Sequence, residues 1–342
     1  MAFLLFSMFL SLSIASPTLQ SVGGLQGHLI RTADGRSFKL TTHIDFGYSG
    51  DIYQAVELTP GADTTPKVIK MLDIHNESDE IEELLRNFRT AKEAIPSDSN
   101  TFLNFEYLLL ASKGIEADAA LLMPQISSSV LQEVGQIQNS EQRVRLAQEV
   151  LLLYLSAAKD LISGGYSHGG ISLSDVGRMP DGNLRIFDFD HFQRVGNKSL
   201  LPLSYYDAPE VSTSGRTSVV SDIYSMGFSL LQILIPKTRF EYSLSITEVV
   251  AHFEALRGSI VNSAQEVNLS MIQVFTLASL EKNPIERRKK MIEALQVLQS
   301  NTALPVTTRR VSHDLLITLE KYPVRSGFFH SVGLFCRDLF GR

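Results

Sequence analysis

The chain of 342 residues holds a single cysteine, Cys336, so no disulfide can close within it and no cluster of cysteine ligands can hold a metal. No apolar run reaches the roughly 18–20 residues that a membrane-spanning helix needs. A basic excess is missing as well. Lys and Arg number 31 against 37 Asp and Glu, a net charge of −6, whereas a general nucleic-acid binder needs a cationic face to displace counterions from phosphates. Repeats and low-complexity tracts are absent. What remains, 44% hydrophobic and 20% charged, is an ordinary globular balance. The length corresponds to about two domains of ~150 residues or one large bilobal unit. Packing must supply the stability.

Residues 3–14 are apolar, broken only by serines and without a charge. That is the length of a signal-peptide core and too short to span a bilayer. Ser13 and Ala15 stand where a small-x-small cleavage site needs them. A signal peptide over 1–15 and a mature chain from Ser16 are therefore expected, with passage through the secretory pathway. No Lys or Arg precedes the apolar core, and a buried N-terminal segment is the alternative. Secretion makes the triplets at Asn76, Asn197 and Asn268 eligible glycosylation acceptors.

Beyond a leader over 16–39, alternating apolar residues predict strands at 37–42, 52–58 and 67–72, with Gly47, Gly50, Pro60 and Gly61 in the connections. Residues 77–94 carry Ile81, Leu84, Leu85 and Phe88 at helical spacing and end at Pro96. Segments 105–111 and 119–123 read as strands. After Pro124 the pattern changes to helix. Residues 141–162 place Val144, Ala147, Leu151, Tyr154, Ala158 and Leu161 on one stripe, stopped by Gly164 and Gly165. A hairpin around residues 180–183 and a strand at 184–187 follow, and from 219 onward the chain is mostly helical. The expected fold is α+β and bilobal: a small β-rich lobe over 40–125, joined near 123–127 to a larger helical lobe over 126–342 that ends in a helical extension. Ligands favour the cleft between such lobes.

The most informative stretch is Ser167-His168-Gly169-Gly170-Ile171-Ser172-Leu173-Ser174-Asp175, followed by Phe187-Asp188-Phe189-Asp190. Ala208-Pro209-Glu210, then Asp222 and finally Arg287 complete an ordered series. In order and spacing it resembles the protein-kinase family, with its catalytic loop H-R-D-x-x-x-x-N, D-F-G, A-P-E, a helix-start Asp and a late Arg. Leu121-Leu122-Met123-Pro124 at the join is similar to the secreted rhoptry kinases of apicomplexan parasites. Asp45-Phe46-Gly47-Tyr48-Ser49-Gly50 resembles the family's glycine-rich loop, with Asp45 in place of the first glycine. By that resemblance Gly47, Gly50, Lys70 and Met123 belong to a nucleotide site, and Glu82 or Glu83 is the helix partner of Lys70. The residues alone allow plainer readings, a hairpin for the loop and an edge-strand lysine for Lys70.

The departures from the family decide the expected chemistry. The catalytic base position is Gly170, the γ-phosphate lysine is Ser172 and the neighbouring arginine is Gly169. Together these losses remove most of the charge that phosphoryl transfer depends on. The metal positions persist as Asp175 and Asp188, and Asp190 replaces the last glycine of D-F-G. Three carboxylates would suit Mg²⁺ or Mn²⁺ with ATP, although Asp190 reads equally as a turn residue. Glu210 and Arg287, with Asp222 and His168, resemble the family's scaffold contacts. Ser199, Ser204, Tyr205 and Tyr206 lie in a short activation segment, where Gly169 leaves a phosphate without the usual cation. The implied function is a secreted pseudokinase, a nucleotide-responsive scaffold or regulator of a protein partner. The alternatives are an atypical active kinase using a displaced carboxylate and an interaction module that binds no nucleotide.

Overall fold

A computed structural model describes residues 24–47, 49–63, 65–72, 79–111, 119–199, 201, 206–235 and 245–322. The expected signal segment, the triplet at Asn76, and Ser204 and Tyr205 lie outside them. The chain divides into two compact units: Met1–Asn76 with Glu106–Pro124, and Glu77–Phe105 with Gln125–Arg342.

The first unit is one antiparallel sheet. Its strands are β1 (Leu29–Arg31), β2 (Ser37–Gly47), β3 (Gly50–Glu57), β4 (Lys67–Leu72), β5 (Glu106–Leu109) and β6 (Ala119–Pro124), in the order β1-β2-β3-β4-β6-β5. Period-two alternation places Phe38 and Leu40, Tyr53 and Ala55, Ile69 and Met71, and Ala120 and Leu122 in one buried cluster with Ile30 and Leu108. The edges meet. Thr32 bridges Leu110, Ala33 N–H donates to Leu109 O (2.8 Å) and Ala111 N–H to Arg31 O (2.8 Å), so the sheet curls on itself and hides both rims. Arg36 reinforces the closure with a two-pronged bond to Glu106, at 2.9 and 2.5 Å. The sheet thus begins at Leu29, within the stretch read as a leader. A three-residue edge strand carries too little alternation to be recognised in sequence.

The second unit carries α1 (Asp79–Ala94), the short β7 (Ser128–Ser129) and α2 (Val130–Gln136), and α3 (Ser140–Gly164). Next come β8 (Tyr166–Ser167), β9 (Val176–Arg178), β10 (Leu184–Ile186), β11 (Gln193–Arg194) and α4 (Pro209–Ser214). It ends with α5 (Val219–Leu234), α6 (Ile246–Arg257), α7 (Ser263–Ser279), α8 (Pro284–Ser300) and α9 (Val306–Lys321). Local chemistry sets these boundaries. Asn139 caps α3 by accepting from the N–H groups of Glu141 and Gln142, and Ser218 with Ser221 forms a capping box on α5. Asn283 followed by Pro284 starts α8. The stripe read from α3, including Val144, Ala147, Leu151, Tyr154 and Leu161, is fully buried or nearly so. Helix α1, expected in the β-rich lobe, belongs by its contacts to this unit. The loop after it is stitched to β10 through Leu103 N–H to Ile186 O (2.7 Å) and Ile186 N–H to Thr101 O (2.9 Å). None of the helices among the described residues is long and apolar enough to cross a membrane.

Candidate functional site

The loop between α3 and β9 is held from two sides. β8 pairs with β11, Ser167 opposite Gln193, and this brings His168-Gly169-Gly170 against His191. On the other side Asp222, in the first turn of α5, accepts from Ser167 Oγ (3.1 Å), His168 N–H (3.0 Å) and Gly169 N–H (2.9 Å). A helix N-terminus favours a carboxylate there. Burial nevertheless outweighs the three bonds and pushes its pKa up to about 7.

The two glycines of this loop are not equivalent. Gly169 sits at φ +83°, and a Cβ there would come within 2.6 Å of the His191 carbonyl oxygen. No other residue fits without moving the backbone. A Cβ on Gly170 would meet only His191 Cδ2, at an ordinary 3.8 Å.

Ser172 opens a single 3₁₀ turn over Leu173–Asp175. Its side chain accepts from Ser174 N–H, and Asp175 Oδ2 accepts from Ser172 N–H at 2.8 Å. Ser174 Oγ donates to the other oxygen of Asp175 at 3.2 Å. Asp175 is buried. Burial first, and then the charge of Asp188, hold its pKa well above the usual carboxylate range. Asp188 has φ 66°, the one non-glycine residue at positive φ among those described. A left-handed backbone costs a side-chain-bearing residue about 1–2 kcal/mol. Strain of this kind persists where the surroundings enforce a functional geometry.

Phe189 explains what enforces it. Its ring stacks on Phe105 (5.3 Å between centroids) and meets Phe102 (6.3 Å), His168 (5.8 Å) and Phe192 (5.8 Å, edge-on). Phe88 of α1 extends the column at one end, Tyr166 at the other. Among these rings both nitrogens of His168 are buried. Burial, the largest influence, lowers its pKa to about 4, with Asp188 opposing and His191 adding to the fall.

The structure thus brings Asp175 and Asp188 together, but Asp190 does not complete a trio. Among the described residues no group of three His, Cys, Asp or Glu side chains is arranged to hold a metal ion. Asp190 is buried, and its carbonyl accepts from Asn87 Nδ2 of α1 (2.7 Å). A buried carboxylate, Asp175, and a half-buried one, Asp188, remain, and such a like-charged pair takes up a proton or a hard cation to relieve its repulsion. Its oxygen donors suit Mg²⁺.

In the sheet unit Gly47 pairs with Gly50 at the β2–β3 turn, and a Cβ on Gly50 (φ +142°) would fall 1.7 Å from Met71 O. Only glycine is accommodated at Gly50. Asp45 lies beside a register shift in β2 and is exposed. Lys70, in the middle of β4 opposite Ile52 and Leu121, is 5% exposed, and Met123 pairs with Val68. Of the two α1 candidates Glu83 is buried and Glu82 is exposed. Glu210 accepts both prongs of Arg287, at 2.5 and 3.2 Å. Tyr206 OH donates to Gln232 (2.6 Å). Asn268 is buried within α7, which closes that triplet to glycosylation in the folded chain. The sequence placed Phe88 on a helical stripe but did not point to Asn87 or to the rings of Phe102 and Phe105 at this site. Their only signal is aromatic spacing, and that does not say which distant Phe they meet.

No protein-family profile matches the chain. It is similar to a probable serine/threonine-protein kinase, PknB, of Lactococcus lactis subsp. lactis (strain IL1403): 25% identical over 139 residues, 39% of this chain and 22% of that protein. The chain therefore covers well under two thirds of that relative. The curled antiparallel sheet of the N-terminal part and the helical C-terminal part make the fold α+β and kinase-like.

Proposed function

We propose that this chain has the kinase fold without phosphoryl transfer, and that it acts as a nucleotide-responsive regulator of a protein partner on the secretory route. The observation that carries this reading is Gly170. Packing leaves room for a side chain at that position, so the missing base is not imposed by the fold. Ser172, where the family has a lysine, spends its hydroxyl on the 3₁₀ turn. Transfer requires a group to orient the acceptor hydroxyl and cations to neutralise the developing charge, and these positions supply neither.

Asp175 and Asp188 would hold Mg²⁺ or Mn²⁺. Bound there, the ion would neutralise nucleotide phosphates. The resemblance assigns Lys70 a nucleotide-binding role, with Glu83 as the buried α1 candidate for its partner. Without a cation the carboxylates repel a polyanion. Unit charges ~4 Å apart repel by about 1 kcal/mol in water and ~4 at an effective dielectric of 20, against about 8 kcal/mol for an entire micromolar affinity.

The test is ATP binding by thermal shift and calorimetry in EDTA, Mg²⁺ and Mn²⁺, with transfer from γ-labelled ATP measured in parallel. Binding should require the cation, and Asp175→Asn should relax that requirement. Equal affinity in EDTA and Mg²⁺ removes the cation role. Rapid transfer that Asp188→Ala abolishes removes the pseudokinase reading. N-terminal sequencing of secreted material tests the expected start near Ser16.

A further inference from the structure

A cavity of about 530 Å³ opens in the helical unit, between the loop that follows α1 and the end of α3. Ile95, Pro96, Phe102, Leu161, Tyr166 and Phe192 give it apolar walls, and Asp98 and Asp160 stand on its rim. Its volume lies in the range of ligand pockets. Two walls belong to the ring column: Tyr166 stacks on Phe192 at 5.4 Å, and Phe192 packs edge-on against Phe189.

The chain leaves the last helix close enough to Asp222 for that charge to act on Tyr322. Arg288 fixes the end of α9 by donating to the carbonyls of Leu319 (2.9 Å), Glu320 (3.1 Å) and Tyr322 (3.2 Å). The Tyr322 phenol is pushed up to about 12 by burial and by the charge of Asp222. Asp222 in turn is bonded to Ser167, the neighbour of the cavity wall Tyr166. Twenty residues follow Tyr322 and lie outside the described ones. As sequence they hold four of the chain's 19 phenylalanines (Phe328, Phe329, Phe335, Phe340), with Arg325, Arg337 and Arg342 against the single acid Asp338. Phe328 stands six residues past Tyr322, a reach of up to ~20 Å for extended chain.

We infer that this C-terminal segment is the occupant of the cavity: Phe328 and Phe329 anchor among the apolar walls, and Arg325 lies against the acidic rim. Aromatic anchors in a pocket rimmed by complementary charge are the usual way a short segment docks. The seated rings would press on Tyr166 and Phe192 and through them on Phe189, so the segment would brace the loop that carries Asp188. This holds whether or not a nucleotide binds.

The absence of tryptophan from the chain makes the test direct. Phe328→Trp in the full chain introduces a lone reporter, and Phe329→Trp serves as a second should the first disturb folding. Each should give blue-shifted emission and several-fold weaker acrylamide quenching than free tryptophan, at all protein concentrations. Ser163→Phe, which fills the cavity from an exposed position, and Asp98→Lys, which reverses the rim charge, should each shift the emission to the red. They should also speed hydrogen exchange over 94–102. Exposed emission in both reporter chains overturns the inference. So does a blue shift that ignores both cavity variants, which would place the segment elsewhere. A blue shift that grows with concentration would assign the cavity to a second copy and overturn it too.

Discussion

Replacing Arg287 by methionine should be the costliest single change in the helical unit away from its candidate site. The guanidinium is fully buried. It donates twice to Glu210, and also to the carbonyls of Glu281 (2.7 Å), Val220 (3.2 Å) and Lys282 (3.2 Å). It lies 4.8 Å from the ring centre of Tyr224. Methionine fills part of the volume but strands the Glu210 carboxylate, whose side chain is 12% exposed, and takes one donor from each of three carbonyls. Removing one partner of a buried ion pair costs about 3–5 kcal/mol. At ~2–4 °C per kcal/mol for a unit of this size, the melting midpoint should fall by roughly 6–20 °C. Scanning calorimetry with urea denaturation measures it, and Glu210→Gln with the double variant completes the cycle. The double variant should be less damaged than the sum of the singles, because it carries no stranded charge. A fall below about 3 °C for Arg287→Met would refute the reasoning, as would simple additivity.

Gly170→Asp should fold with a melting midpoint close to the parent's, since its Cβ meets only an ordinary contact, whereas Gly169→Ala should cost at least ~1 kcal/mol from its left-handed backbone alone; calorimetry of the pair checks this, and equal losses would refute it. pH dependence follows from two buried groups of opposite sign. His168, lowered from 6.5 to about 4, gives stability that is lost as pH falls through that window, because the unfolded chain then binds a proton the folded one refuses. Asp222, raised from 3.8 to about 7, gives stability that is lost as pH rises across nearly the same range. The two partly cancel in the parent. His168→Phe, which keeps a ring between Phe189 and Phe192, should uncover the Asp222 slope and give a higher urea midpoint at pH 4.5 than at pH 6.5. A pH profile identical to the parent's would show that His168 contributes nothing there.

Much of the architecture is legible in the residues because it is local. Alternation in β2, β3 and β4, the long stripe of α3, and the caps at Asn139, Ser218 and Asn283 each follow from one turn or one pleat of backbone. The chemical losses at Gly170 and Ser172 are also facts of sequence, since a missing charge needs no coordinates. Tertiary structure decided the rest, wherever two distant segments had to meet. Ile30 joins the core because β1 pairs with β2 and closes against the segment after β5. Helix phase, set by packing, buried Glu83 rather than Glu82. Asp175 carries the spacing of a metal ligand, but that its oxygens accept from Ser172 and Ser174, and that Phe189 turns into a column of rings drawn from distant segments, follow only from the fold. Gly169 and Gly170 are the same letter. The approach of His191, brought in by the pairing of β8 with β11, closes one of them to every side chain and leaves the other open.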